Sequence, residues 1–473
     1  MIPLTLERIA QVTDGRVGGR GGTSATDPSD VVVDGSVVTD SRQAQRGSLY
    51  VARIGEQADG HAFVGDAARR GAAAALVTKE VTGLPYVLVD DVQESFAALA
   101  AHVIASIPGL RVVGITGSSG KTSTKDLMAA VLAEHGPTVA TEGSLNSEVG
   151  VPITVCRARP DTAYLILEMG TRGVGQIRYL ADMTHPSVGV VLNVGTAHVG
   201  EFGSKEAIAF AKSELVQALP VDGLAVLNAE DPLVAAMATR TRARVVRTGR
   251  AAPADGDGPP EVSARDVRLD SDGTAAFTLV TPEGAAPAHL RVLGEHMVDN
   301  ALAVAAVARE MGMSVAVVAS ALSRADRASR WRLERHDRPD GVTVLNDAYN
   351  ANPDSLAAAL RTLAAMGAGR RTWAVIGEML ELGEGAQAAH RAAGEQAASL
   401  GVDEILAVGA GAAPAADGFG PRGRRAPDLD AAYELLTAEL APGDIVLLKS
   451  SHGSGLRHLG DRLVAARSQG GGS

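Results

Sequence analysis

Cysteine, basic charge and long apolar runs are all scarce in this sequence. Cys156 is its single cysteine, so no disulfide can form within the chain. No uncharged apolar run reaches about 18 residues, and the opening MIPLTLERIAQV carries Glu7 and Arg8 where a signal peptide needs apolar residues. The net charge of -11 and the pI near 5.5 argue against a nucleic-acid partner. These absences predict a cytoplasmic protein without a membrane span.

Lysine is also rare, with six lysines against 38 arginines. A site that needs a compact ammonium or a modifiable amine cannot use the planar guanidinium of arginine. Each lysine is therefore informative, and Lys121, Lys212 and Lys449 recur in the motifs described below.

The length of 473 residues, with 46% apolar residues, predicts two or three domains. Short apolar strands such as RVVGITG, AYLILEMG and VGVVLNVG alternate with helical patterns, which indicates a largely parallel sheet. Between residues 265 and 293 the turns SDG and TPEG indicate an antiparallel meander, and strands near 342, 372, 404 and 444 are each followed by a helix. We therefore predict an α/β protein with a small α/β domain (1–107), a central P-loop-type domain with an antiparallel insertion (108–326), a Rossmann-like domain (327–467) and a flexible tail (468–473).

The stretch VVGITGSSGKTSTKD, residues 112–126, has the features of a phosphate-binding loop between a strand and a helix. It departs from the general G-x-x-x-x-G-K-[ST] pattern because residue 115 is isoleucine. Backbone N–H groups at a helix N-terminus attract phosphate, Lys121 can neutralise terminal phosphates, and the Thr122 hydroxyl can bind magnesium. A plain glycine-rich turn would explain the glycines but not the Lys-Thr pair.

Two polar residues follow other strands of the same predicted sheet. Glu168 ends the apolar strand AYLILEMG, and His198 lies in the loop after VGVVLNVG. Ligands bind at the carboxyl ends of strands in open α/β sheets, and a carboxylate there suits magnesium. A solvated glutamate and a structural histidine are the alternatives.

Several segments resemble the Mur ligase family in sequence and in order. GITGSSGKTSTKD, EMG, NVGTAHVGEFGSKEAIAFAKSEL, LNAEDP and GEHMVDNALAVAAVA follow one another as in that family. TDSRQAQRGSLYVA, ADGHAFV and NDAYNANPDS are similar to the branch that adds a dipeptide. The resemblance extends from about residue 39 to 460.

The resemblance implies ATP, magnesium and a set of site residues. In the nucleotide site it places Gly117, Ser118, Ser119, Gly120, Lys121, Thr122, Ser123, Asn300, Arg330 and Asp347. It places Thr122, Glu168, His198 and Lys212 at the metal, and Lys121, Glu168, His198 and Lys212 in catalysis. Lys212 matches a family lysine that carries a carbamate, although the residues alone favour a solvated helix lysine.

The resemblance further implies two peptide substrates, UDP-N-acetylmuramoyl-tripeptide and D-alanyl-D-alanine, and a monomer. Their candidate contacts are Asp40, Ser41, Arg42, His61, Asn146, Tyr349, Asn350, Asn352 and Lys449. The chain departs from the family at three positions. Ser144 and Ser147 stand where asparagine is commoner, and His452 replaces the arginine of a Lys-x-Ser-Arg motif.

The implied reaction activates the tripeptide carboxylate as an acyl phosphate, which the dipeptide amine then attacks. Two alternatives compete with it: a different phosphotransferase or a relative that adds glutamate to folate, and an inactive nucleotide-dependent binding protein. The NDAYNANPDS segment argues against the relative that adds glutamate to folate. The complete set of Lys121, Thr122, Glu168, His198 and Lys212 argues against the second.

Overall fold

The computed structural model describes residues 1–19, 27–55, 58–195, 199–250, 259–326 and 328–465. His198 and the predicted tail lie outside these residues. Three large sheets follow one another along the chain, of five, nine and six strands. This arrangement confirms the predicted α/β class with its mixed central sheet. No helix in the described ranges is both long and apolar enough to cross a membrane.

The first part of the chain forms a five-stranded sheet and a small two-stranded one. Its elements are β1 (Leu4–Thr5), α1 (Leu6–Val12), β2 (Arg16–Gly18), β3 (Val32–Val33), β4 (Val37–Val38), β5 (Leu49–Val51), α2 (Val64–Arg69), β6 (Ala74–Val77), β7 (Tyr86–Leu88) and α3 (Val92–Ala105). The order of the larger sheet is β2-β7-β6-β5-β4, and only β2 is antiparallel to its neighbour.

The second part forms the nine-stranded sheet. Its elements are β8 (Arg111–Thr116), α4 (Lys121–Ala133), β9 (Thr138–Ala140), α5 (Gly150–Val155), β10 (Tyr164–Glu168), α6 (Gln176–Thr184), β11 (Val188–Val191), α7 (Val199–Phe202), α8 (Lys205–Gln217), β12 (Leu224–Asn228), α9 (Pro232–Ala235), β13 (Arg244–Gly249), β14 (Val262–Leu269), β15 (Thr274–Thr281), β16 (Gly284–Leu293), α10 (Met297–Glu310) and α11 (Val315–Arg324). Its order is β16-β15-β14-β13-β12-β11-β8-β10-β9. The predicted meander continues this sheet, because β14 pairs parallel to β13 and antiparallel to β15.

The third part forms the six-stranded sheet. Its elements are β17 (Glu334–Asp337), β18 (Thr343–Asp347), α12 (Pro353–Met366), β19 (Thr372–Ile376), α13 (Ala386–Ser399), β20 (Glu404–Val408), α14 (Ala413–Phe419), β21 (Arg424–Ala426), α15 (Leu429–Glu439), β22 (Ile445–Lys449) and α16 (Leu456–Ala465). The order is β17-β18-β22-β19-β20-β21, with only β17 antiparallel. The four predicted strands are β18, β19, β20 and β22.

Hydrophobic packing joins the first and second parts of the chain. Phe96 and Leu99 of α3 are fully buried in the same cluster as Leu165 and Leu167 of β10. On this face of the central sheet α3 packs on α5 and α6, and the other face is covered by α4, α10 and α11. Because burial of apolar surface is the main stabilising term, this shared cluster holds the first part of the chain against the second.

Candidate active site

The phosphate-type loop lies between β8 and α4, as predicted. Gly120 precedes the helix with φ +80, a left-handed conformation that glycine adopts without a steric penalty. A Cβ atom on this residue would lie 2.8 Å from the side-chain oxygen of Asn300. The loop therefore packs closely against α10, which brings Asn300 to the predicted nucleotide site.

Asn193, which the sequence reasoning missed, holds the loop from the neighbouring strand. Its Oδ1 accepts hydrogen bonds from the backbone N–H groups of Ser118 (3.0 Å) and Ser119 (2.9 Å). Its Nδ2 donates to the Ser119 carbonyl at 3.2 Å. The side chain thereby fixes the curvature of the loop, and only its position two residues after the end of β11 could have indicated this.

Lys121 folds back over the loop. Its Nζ donates to the Gly117 carbonyl at 2.7 Å. Burial lowers the pKa of this lysine, the Glu168 carboxylate opposes that effect, and the nearby Arg332 adds to it. The amine of Lys121 therefore lies within the phosphate-type loop.

Glu168 is the centre of a hydrogen-bonded cluster at the end of β10. Thr122 Oγ1 donates to Glu168 Oε2 at 2.8 Å, and Asn146 Nδ2 donates to Glu168 Oε1 at 2.7 Å. The carboxylate is 1% exposed. A hydroxyl and a carboxylate are ligands that magnesium prefers, and magnesium usually takes its other ligands from phosphates and water. This donor set fits magnesium, and the described residues contain no group of three or more His, Cys, Asp or Glu that could hold a metal.

Lys212 of α8 lines the same cleft and is 4% exposed. Its pKa is lowered well below the ordinary value, first by burial and then by the charge of Lys121. Within the described ranges, its ammonium makes no hydrogen bond or ion pair. This burial corrects the solvated helix lysine that the residues alone favoured.

The third part of the chain faces the loop with Asp347 and Lys449. The parallel register pairs these residues at the ends of β18 and β22, and their side chains form an ion pair of 2.7 Å. Lys449 also donates to the Asn350 carbonyl at 2.9 Å. Burial lowers the pKa of Lys449, with the Asp347 carboxylate opposing the change. The lysine is therefore buried and paired, rather than a solvated edge residue.

Arg332 lies in the cleft, whereas the predicted Arg330 does not. Arg330 is 61% exposed and pairs with Asp461 at 3.1 Å. Arg332 donates to Thr122 Oγ1 at 3.1 Å, and its guanidinium lies 4.4 Å from the ring centre of Tyr349. The residues on either side of Arg332 have φ +57 and +51, so a strained backbone turns its side chain away from that of Arg330. The segment SRWRLER contains three arginines, and its spacing does not show which of them faces inward.

The NDAYNANPDS segment follows β18 and faces the phosphate loop. Tyr349 hydrogen-bonds through its hydroxyl to the Ser144 hydroxyl. Asn352 caps α12 by accepting from the Ser355 backbone at 2.8 Å, and its Nδ2 donates to the Ser118 carbonyl at 3.4 Å. The segment therefore joins the third part of the chain to the second.

His452 borders this segment. Its ring lies edge-on to Tyr349, with 5.2 Å between ring centres. Burial lowers its pKa, and Arg457 and His458 lower it further.

The predicted residues of the first part lie apart from the cleft. Arg42 forms a bidentate contact with Asp40, and Ser41 donates to Asp66 at 2.9 Å. The buried His61 contacts Asp59 (2.6 Å) through Nδ1, and its Nε2 accepts from the Thr78 backbone. None of the four predicted residues lines either of the two cavities described next. The partners of their side chains are all other residues of the first part of the chain.

Two cavities meet at the phosphate loop. The smaller, of about 380 Å³, is lined by Asn300, Asp347, Lys449 and residues that follow β11. The larger, of about 880 Å³, contains Lys121, Thr122, Glu168, Lys212, Asn146, Tyr349, Asn350, Asn352 and His452. Ser119, Gly120, Ser123, Arg332 and Ser355 line both. The loop therefore has one cavity on each side.

The fold and these cavities define a nucleotide-dependent enzyme that brings a phosphate loop against a second α/β domain. The chain belongs to the Mur ligase family. Residues 115–308 match the Mur ligase middle domain, and residues 331–452 match the Mur ligase, glutamate ligase domain. Both the family resemblance and the fold expected from it are confirmed.

Curated relatives share most of the chain. UDP-N-acetylmuramoyl-tripeptide--D-alanyl-D-alanine ligase of Mycobacterium tuberculosis is 45% identical, covering 98% of each chain. The ligase of the same name from Escherichia coli is 36% identical over 86% of each chain. Among solved structures, MurF from Acinetobacter baumannii superposes with a TM-score of 0.87 at 29% identity, covering 98% of this chain and 99% of that chain. MurF ligase from Thermotoga maritima in complex with ADP has a TM-score of 0.78 at 25% identity, covering 91% and 98%.

Proposed function

We propose that the protein is an ATP-dependent amide ligase that joins D-alanyl-D-alanine to UDP-N-acetylmuramoyl-tripeptide in peptidoglycan precursor synthesis. The curated relatives described above are named as ligases of this kind, and they are up to 45% identical to this chain over nearly its whole length. One structural observation carries the proposal. A single cavity contains the Lys121–Thr122–Glu168 set on one wall and the Tyr349–Asn350–Asn352 segment on the other.

The reaction begins with the tripeptide carboxylate, which resists amine attack because its leaving group is poor. A carboxylate oxygen attacks the γ-phosphorus of ATP, ADP leaves, and an acyl phosphate forms. Lys121 and Arg332 place positive charge where the transferring group is most negative, and such charges act strongly where water is excluded. We therefore assign to Arg332 the contact with the nucleotide that the sequence analysis assigned to Arg330.

The metal expected here is magnesium, which would be held by Thr122 and Glu168, together with His198 outside the described residues. When bound, it supplies Lewis-acid neutralisation of phosphate charge. The hydrogen bonds from Thr122 and Asn146 fix the Glu168 carboxylate in its orientation.

In the second step the dipeptide amine attacks the acyl carbon. A tetrahedral intermediate forms, loses a proton from nitrogen and expels inorganic phosphate to leave an amide. The acceptor enters beside Tyr349, Asn350 and Asn352, and its carboxylate end lies toward His452. The paired Lys449 and Asp347 hold this segment, because Lys449 donates to the Asn350 carbonyl at 2.9 Å.

Lys212 is proposed to carry a carbamate. Carbamylation needs a neutral amine, and burial favours that form because it lowers the pKa of Lys212 well below the ordinary value. The product is an anion that could serve a second magnesium ion. A crystal map of nucleotide-bound protein, prepared with bicarbonate at mildly alkaline pH, should show density branching from Nζ. A bare lysine paired to a carboxylate would remove this role.

The UDP end of the donor is proposed to contact Asp40, Ser41, Arg42 and His61. Exposed Arg42 can exchange its local partner Asp40 for a phosphate, since the guanidinium fork suits both anions. His61 would support that turn from the interior. Because the reaction consumes ATP and a UDP-linked precursor, we place it in the cytoplasm.

The domain ranges 1–107, 108–326 and 327–467 remain our proposal. The five-, nine- and six-stranded sheets each lie within one of these ranges. Limited proteolysis followed by mass measurement would test them through cleavage near residues 107 and 326.

The decisive assay supplies ATP, magnesium and UDP-N-acetylmuramoyl-tripeptide, with and without D-alanyl-D-alanine, and weighs the products. Addition of the dipeptide mass, with one phosphate released per product, is expected. Glutamate addition to a folate donor would favour the folate alternative, and nucleotide binding without turnover would favour the inactive one.

Lys121→Ala should reduce turnover at least about a thousand-fold while leaving the circular dichroism spectrum unchanged. Near wild-type ligation by this variant would contradict the assignment of the loop.

A further inference from the structure

The end of α11 and the linker that follows it, up to β17, lie along α4, the helix that begins at the phosphate loop. Three of these residues contact α4 or its C-cap, in antiparallel order: Arg324 with Glu134 (2.6 Å), Ser329 with Asp126 (3.0 Å) and Arg332 with Thr122 (3.1 Å). Asp126 lies one helical turn after Thr122, a rise of about 6 Å, which three linker residues can span. Arg332 therefore reaches the loop from a contact one turn away.

Carboxylates accept hydrogen bonds from three alternate backbone N–H groups around Arg332. The pairs are Ser329 with Asp126 (3.0 Å), Trp331 with Glu334 (2.8 Å) and Leu333 with Asp347 (3.0 Å). Glu334 and Asp347 belong to the third part of the chain, whereas Asp126 belongs to the second. Of these three contacts, the one with Asp126 therefore fixes the linker relative to the phosphate loop.

Asp126 is held in place on its other side by a buried cation. Its carboxylate forms an ion pair with Lys125, and the two residues are 8% and 3% exposed. Because both are buried, the pair restricts the carboxylate to one orientation. The linker has φ +57 at Trp331 and +51 at Leu333, and such conformations persist only where neighbouring contacts hold them. The Asp126 contact is thus one of the constraints that turn Arg332 inward.

The position of the Arg332 guanidinium matters because its charge reaches both lysines of the cleft. Burial lowers the pKa of Lys121 and of Lys449, and the Arg332 charge lowers both further. A fixed charge stabilises a transition state only where charge develops, and a displacement of about 1 Å can cost roughly a hundred-fold in rate. A residue that locates Arg332 can therefore control the reaction without touching a substrate.

We infer that Asp126 is a positioning residue for phosphoryl transfer, because its hold on the Ser329 N–H sets the place of Arg332 beside the phosphate loop. The inference rests on the proposed function, since it assumes that Arg332 stabilises the phosphate that ATP transfers. Loss of the contact lowers kcat and leaves the KM for ATP unchanged, because Arg332 acts on charge that develops in the transition state.

Ser329→Pro removes the N–H donor while leaving Asp126 and Lys125 in place. The assay supplies ATP, magnesium, UDP-N-acetylmuramoyl-tripeptide and D-alanyl-D-alanine to the full-length enzyme. The kcat should fall roughly ten- to hundred-fold, the effect of losing one hydrogen bond to a charged group. Ser329→Ala keeps the N–H and is the matched control, which should have the kcat of wild type.

Asp126→Ala should show the same loss of kcat. Because this variant leaves Lys125 buried without its partner, urea unfolding is measured beside it, and Ser329→Pro decides the outcome if it does not fold. Asp126 also lines the smaller cavity. A raised KM for ATP with unchanged kcat in Asp126→Ala would therefore show a direct contact with the nucleotide and would overturn the inference.

A second arm combines Ser329→Pro with Arg332→Ala. The double variant should have the kcat of Arg332→Ala alone, because the contact acts through that arginine. A further loss in the double variant would show that the contact only supports the fold, and wild-type kcat for Ser329→Pro would show that it has no role. Either result would overturn the inference. Absence of ligation by the wild-type enzyme would contradict the proposed function itself, on which the inference rests.

Discussion

At the scale of single residues, the buried Lys212 lowers the free energy of unfolding of the protein that it serves as a site residue. Its pKa lies well below the ordinary value, so between that lowered pKa and about 10.5 the unfolded chain binds more protons than the folded one. The free energy of unfolding therefore contains a penalty from Lys212 that shrinks as pH rises toward 10.5, by at most about 1.4 kcal/mol per pH unit.

Lys212→Met should remove this penalty and abolish ligation. In bicarbonate-free buffer, urea unfolding should show the variant to be more stable than wild type at pH 7, with the difference decreasing toward pH 10. Lys79→Met, at an exposed lysine paired with Asp59, should not reproduce that trend. A stability difference independent of pH would show that Lys212 is charged in the folded protein.

His452 should affect acceptor binding according to its charge. Burial and the cations Arg457 and His458 lower its pKa, so above about pH 6.5 the ring is mostly neutral. If it contacts the acceptor carboxylate, the KM for D-alanyl-D-alanine should fall as pH decreases below that value and stay flat from pH 7 to 9. His452→Arg should give a KM several-fold lower and independent of pH. Identical pH profiles for the two proteins would exclude the contact, and a wild-type preference for D-alanyl-D-lactate would change the proposed acceptor.

At the scale of secondary-structure elements, the junction of β8 and α4 depends on Gly120. Gly120→Ala should lose about 1–2 kcal/mol of stability, because an L-residue is strained at φ +80. It should also raise the KM for ATP at least about ten-fold, since the new Cβ would lie 2.8 Å from Asn300. Gly312→Ala is the matched control, with φ +88 and no atom within 4 Å of its Cβ. It should show the stability loss alone, and an equal KM for ATP in both variants would argue against the loop assignment.

The sequence predicts strands and helices better than it predicts which side chains contact one another. The strand preceding Lys121 and the strand ending at Glu168 follow from local apolar runs, and the structure contains both. Asn193 and Arg332 were missed because their contacts with the loop depend on which strands become neighbours and on two strained backbone positions. The short edge strands β17 and β21 were missed for a similar reason, since three or four residues give too little periodicity to detect.

At the scale of the whole molecule, the hydroxyls of Ser144 and Tyr349 connect the second and third parts of the chain. Ser144→Ala and Tyr349→Phe should each lower kcat/KM for the acceptor by up to about ten-fold, the effect of losing one hydrogen bond. The double variant should be no worse than either single variant, because both remove the same contact. Tyr433→Phe, on α15, serves as the control. Fully additive losses would show that the two hydroxyls act separately.

The two cavities on either side of the phosphate loop have a consequence for inhibitor design. Because they share a wall of five residues, one fragment can occupy the 380 Å³ side while another occupies the 880 Å³ side within a short linker's reach. Joining two weak fragments converts the second binding event into an intramolecular one, at an effective concentration in the millimolar range for a short flexible linker. A linked compound that passes Ser123 and Arg332 should therefore bind 10²- to 10⁴-fold more tightly than either fragment, roughly the gain that simultaneous engagement of two sites gives.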